Sequence, residues 1–174
     1  MERKDWLLQY GSLKEGLHHF DYQLDNDFFD SFEQDLVHNG HVKVLLNVYR
    51  SENYLQLDFK IEGALGKECD VCLSELDYPI KGEASLHVKI SDKEIEDEPD
   101  LIQVPTAEIE IDLRQHLFDY TLLQLPMRIE CKDSVNRKEC DAELLSKLNP
   151  PEEDDKPANE DHPEWQKLKG IFKN

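Results

Sequence analysis

Positive charge is in short supply in this chain. Lysine and arginine together number 20 against 39 aspartates and glutamates, a formal net charge of −19. A field of that sign repels a phosphate backbone at long range, so the sequence argues against a generic nucleic-acid binder. Two readings of the excess acid remain, plain solubility and a basic protein partner. Long apolar runs are missing as well, and no span is long enough to cross a bilayer. Residues 1–10 (MERKDWLLQY) fall short of the apolar stretch of about 7–15 residues that an export signal needs. The expectation is therefore a cytoplasmic chain with no membrane partner. Glycine is sparse, at seven residues, which leaves little for loops that cradle phosphate. There is no His-Glu-x-x-His, no Gly-x-Ser-x-Gly, no phosphate loop and no dinucleotide fingerprint. The sequence accordingly predicts no catalytic site, no small-molecule substrate and no enzyme.

What is present is enough for one core, since 174 residues suit a single domain. Phe20, Tyr22 and Leu24 alternate as on a strand, and Phe28, Phe29, Phe32 and Leu36 then recur at helical spacing behind the cap candidates Asp25 and Asn26. From Val42 the period is two: Val42, Val44, Leu46 and Val48, a polar turn at residues 50–53, then Leu55, Leu57, Phe59 and Ile61. Leu86, Val88 and Ile90 repeat the pattern, and Ile109 with Ile111 offer a further short strand after the acidic stretch 92–100. From Asp112, read as an N-cap, Leu113, Leu117, Phe118, Thr121, Leu122 and Leu125 form a helical stripe that Pro126 stops. The predicted fold is α+β, a mainly antiparallel meander or partly closed barrel covered by a helix over residues 112–125. The expected domain spans residues 1–148. Residues 149–164, rich in proline and acid, read as a flexible linker, and residues 165–174 (WQKLKGIFKN) as a short basic amphipathic tail.

The chemistry resides in four cysteines. Cys69 and Cys72 form Cys-Asp-Val-Cys directly after a strand, the spacing at which a tight knuckle aims two thiolates at one ion; Cys131 and Cys140 supply a second pair. Four thiolates match a closed tetrahedral site, so one structural zinc is expected on Cys69, Cys72, Cys131 and Cys140. Eight residues separate the second pair, and their loop must fold back without glycine. Inert reduced thiols, an iron–sulfur cluster and a redox pair at Cys69 and Cys72 are the competing readings. His18 and His19 are neighbours on a strand and point to opposite faces, so they cannot share an ion, and His87 and His116 read as surface or core polar residues.

The order of these pieces resembles the YceD-like family of large ribosomal RNA subunit accumulation proteins. The resemblance is carried by Glu68-Cys69-Asp70-Val71-Cys72-Leu73, by residues 108–113 (EIEIDL) opening a helix, by Leu125-Pro126 with a cysteine-bearing segment after it, and by the basic tail. It covers about two thirds of the chain and places the family's cysteine positions on Cys69, Cys72, Cys131 and Cys140, with the second pair spread further apart. It implies a non-catalytic role in large ribosomal subunit biogenesis. The partner expected is a basic ribosomal protein or a pre-ribosomal particle, with ribosomal RNA engaged indirectly. A direct ribosomal-RNA binding module and a thiol redox enzyme are the alternatives.

Overall fold

The computed structural model describes residues 6–37, 39–93, 100–137 and 139–148. The chain divides into two units, Met1–Cys140 and Asp141–Asn174. Of the second, the described part is essentially one helix, Ala142–Leu148, with Lys147 reaching back to Glu143 at 2.8 Å. The linker and tail read at residues 149–174 lie outside the described residues. No helix among those described is long and apolar enough to cross a membrane.

The first unit is organised by period-two text. Its elements are β1 (Leu7–Leu8), β2 (Gly16–Leu24), α1 (Asn26–Asp30), β3 (Asn39–Ser51), β4 (Tyr54–Glu68), β5 (Glu75–Ile90), β6 (Leu101–Val104), β7 (Ile111–Asp112) and α2 (Arg114–Leu122); the helix of the second unit is α3. Strands β2 to β6 form one sheet in sequence order. Register puts Val44 opposite Ile61, Leu46 opposite Phe59 and Val48 opposite Leu57, with Leu57 and Leu55 in turn opposite Leu86 and Val88. Because side chains alternate across a strand, this register gathers the buried residues on one face. Each such side chain contributes about 1.5–3 kcal/mol when withdrawn from water.

The two helices and the N-terminal segment close over that face. Phe28 and Phe29 on α1, Leu117 and Phe118 on α2, and Trp6, Leu8 and Tyr10 all join the same buried cluster. Phe32 stacks on Phe118 with ring centroids 4.0 Å apart, and the Arg114 guanidinium lies 4.7 Å from the Phe32 centroid. Tyr120 extends the cover to the sheet, 5.2 Å from Phe59.

Several expectations are corrected. The sheet is open rather than barrel-like: β2 and β6 are its two edges. The meander also ends differently, since β6 runs parallel to β5 rather than antiparallel. Ile109 is 64% exposed and outside any strand, while Ile111 belongs to β7, which pairs with β1 rather than with the main sheet. Leu36 is 57% exposed, because α1 stops at Asp30 and the helical spacing beyond it is coincidence. Helix α2 is shorter than read. Its last backbone bonds tighten to Gln124 N–H donating to Thr121 and Leu125 N–H to Leu122, a three-residue spacing that winds the helix down before Pro126. The N-cap is Leu113 rather than Asp112, which ends β7 one residue earlier and accepts the Arg114 N–H at 3.0 Å.

Candidate metal centre

Beyond Glu68 the chain leaves β4 and turns back at once. The Cys69 N–H donates to the Ser74 carbonyl and the Leu73 N–H to the Cys69 carbonyl, both at 2.9 Å. The Val71 N–H points at the Cys69 sulfur, 3.4 Å away, an arrangement that supports negative charge on that atom. A turn this tight needs a left-handed residue, and Leu73 supplies it with φ 58°. Its side chain is 72% exposed, so the strained backbone position carries no packing duty.

The second pair is brought to the first by Asp70. Its N–H donates to the Ile129 carbonyl at 2.9 Å and its carboxylate accepts the Ile129 N–H at 2.6 Å, pinning the chain two residues before Cys131. Glu130 and Asp133 then cap each other across the 3-10 turn Cys131–Asp133, and the Ser134 hydroxyl donates to the Cys131 carbonyl at 2.7 Å. The Val135 N–H donates to Asp77 on β5. The fold-back toward Cys140, expected to lack glycine, is made at Arg137, whose φ of 46° is left-handed and whose N–H donates to the Ser134 carbonyl at 3.0 Å.

These supports converge four sulfurs. Cys72 Sγ lies 3.4 Å from Cys131 Sγ and Cys69 Sγ lies 3.8 Å from Cys140 Sγ; all four sulfurs fall within 4.8 Å of one another. A tetrahedral ion with metal–sulfur bonds of about 2.3 Å requires sulfurs about 3.8 Å apart, so the donor set fits a structural zinc. No disulfide joins them. Cys69, Cys72 and Cys131 are buried and Cys140 is half-buried. With Leu76 and Ile129 the three buried cysteines form a small apolar cluster separate from the main core.

Burial, then the neighbouring thiols, push the Cys131 thiol well above the ordinary range, and burial raises Cys140 as well. A lone negative charge is therefore disfavoured at Cys131 and Cys140. A divalent cation reverses the balance, since coordinating thiols are deprotonated outright. Cys69 also sits in a turn rather than at the start of a helix. Among the described residues no histidine joins the cluster: His19 meets Asn47 at 2.6 Å, His18 the Lys14 carbonyl at 2.7 Å, His87 the Tyr54 hydroxyl, and His116 stacks near Tyr120. Asp70, Glu130 and Ser134 carry much of the scaffolding and escape a sequence reading. Asp70 alone had a signal, its place inside the Cys-x-x-Cys.

No curated protein and no solved structure matches the chain. The profile of the family described as Large ribosomal RNA subunit accumulation protein YceD matches residues 57–172, a stretch that includes nearly all of β4, the whole of β5 and α2, and all four cysteines. The chain belongs to the YceD family of large ribosomal RNA subunit accumulation proteins.

Proposed function

We propose that this chain is a non-catalytic factor in large ribosomal subunit production that holds a basic ribosomal protein or assembly intermediate. Family membership ties it to accumulation of the large-subunit RNA. The observation that carries the holding mode is the net charge of −19, which repels RNA phosphates and attracts lysine- and arginine-rich surfaces. In this reading Cys69, Cys72, Cys131 and Cys140 grip one zinc ion. The ion supplies cross-linking and no reaction step, keeping residues 128–140 folded against the end of β4. By sequence, the acidic linker 149–164 tethers the tail 165–174, whose Trp165, Leu168, Ile171 and Phe172 would add an apolar anchor at high effective concentration.

The test is affinity capture by the full-length protein from ribosome-depleted and ribosome-containing extracts at graded salt, with RNA removed by nuclease in parallel. Basic large-subunit proteins retained after nuclease treatment and released as salt rises fit the proposal. Tight retention of naked RNA with no protein partner, or cleavage or modification of ribosomal RNA by the purified chain, would refute it.

A further inference from the structure

We infer that the cleft between the C-terminal end of α2 and the upstream edge of β5 is the docking site for an extended, lysine- or arginine-bearing segment of the basic partner. The inference rests on the holding function proposed above and locates it. It begins with a gap in the sheet. Strand β6 pairs only with residues 87–90 of the sixteen-residue β5. Among the described residues, Glu83, Ala84 and Ser85 therefore have β4 as a strand neighbour on one side and no strand on the other. A strand edge of this kind offers main-chain donors and acceptors to an added strand.

That edge opens into a cleft of about 700 Å³ whose far wall is the end of α2, with Tyr120, Leu123 and Gln124. Leu123 is 74% exposed there. The Gln124 amide packs over Gly82, where a Cβ would come within 1.7 Å of Oε1 and displace it, and its Nε2 donates to the Tyr120 carbonyl at 3.0 Å.

The lining selects the occupant. Glu83 and Asp100 contribute carboxylates, and the Tyr120 hydroxyl has its pKa raised by burial first, then by Asp100 and by Asp119 outside the cleft. The competing internal cation is Lys60, 3.7 Å from Glu83 with both side chains largely exposed, a pair too weak to hold against a partner. Tyr54, stacked on His87 with centroids 5.7 Å apart, and Tyr120 provide ring surface for the stem and charge of a basic side chain. A nucleic acid would bring phosphates to two carboxylates. A second copy of a chain with a charge of −19 would bring more acid. A basic segment in extended form satisfies edge, rings and carboxylates together.

The test uses the full chain and a fluorophore-labelled octapeptide of alternating lysine and valine, followed by anisotropy at low and physiological salt. The double variant Glu83→Gln, Asp100→Asn should weaken binding about tenfold, as expected for losing two charge-assisted contacts at an accessible rim. Glu143→Gln on α3 should leave binding unchanged. N-methylating alternate peptide amides, which blocks strand pairing but keeps the charge, should weaken it by a similar factor. Equal affinity of the double variant and the parent, or displacement of the peptide from the cleft by a single-stranded RNA oligomer at physiological salt, overturns the inference. Capture of basic ribosomal proteins separates the two readings. If the double variant retains them as well as the parent does, the cleft is wrong and the holding function stands; if the parent retains none, both fall.

Discussion

Replacing Cys72 with serine keeps nearly the same shape and removes one of the four sulfurs, so it reads ligation rather than packing. A metal bound about a thousandfold above its dissociation constant contributes about 4 kcal/mol to the folded state. For a unit of this size each kcal/mol moves Tm by about 2–4 °C, which makes the expected loss roughly 8–16 °C. The loss should also be local. The cysteine cluster is separate from the main core, and the segment it holds is tied down by few backbone bonds: Asp70 N–H to Ile129, Leu73 N–H to Cys69 and Val135 N–H to Asp77. Those amides should exchange with solvent much faster in Cys72→Ser, while the β3–β4 ladder keeps its protection. A chelator should reproduce both effects in the parent protein and add nothing to the variant. Parent protein purified without chelator that carries less than about a tenth of an equivalent of zinc would refute ligation. Unchanged exchange of these amides on adding chelator would refute it equally.

Three further outcomes follow from particular contacts. Gly40→Ala would place a Cβ 2.6 Å from a Phe29 ring carbon and 2.8 Å from a Leu65 methyl; it should destabilise by about 1–3 kcal/mol in urea unfolding, and an unchanged midpoint would contradict the packing. Leu73→Gly should stabilise by about 0.5 kcal/mol, because φ 58° suits glycine and the lost side chain is mostly in water. Burial holds the half-buried His116 below its ordinary pKa, against the opposing pull of Asp119 and Asp112. The unfolded chain then binds a proton near pH 6.5 that the folded chain refuses until lower pH, so this group costs stability as pH falls below about 6.5. His116→Gln should flatten that limb of the stability profile, and parallel profiles would show that His116 has no part in it.

The strands were legible where one face is buried and the other wet. Val42 to Val48 and Leu55 to Ile61 alternate cleanly because β3 and β4 each present a single apolar face. Strand β6 was not, since Leu101, Ile102 and Gln103 are all only half-buried at an edge and leave no period to read. The pairing of β7 with β1 rests on two residues each, too short for any pattern. Leu36 and Ile109 misled for the converse reason: apolar residues at plausible spacing can still face solvent. The candidate site was legible in its donors, because cysteine has few uses in such numbers. Its scaffolding was not, because Asp70 reaching Ile129 and the left-handed Arg137 are tertiary events without a local composition.

The four sulfurs are joined across long stretches of chain, Cys72 to Cys131 over 59 positions and Cys69 to Cys140 over 71. During synthesis the first pair therefore emerges well before the second, by about 3–14 s at elongation rates of roughly 5–20 residues per second. Once residue 90 has emerged β4 and β5 can pair, yet only half the donors exist. If one ion is shared by all four sulfurs, as proposed, the cluster can close only after Cys140 has left the ribosome, so its closure would follow the emergence of residues 1–140.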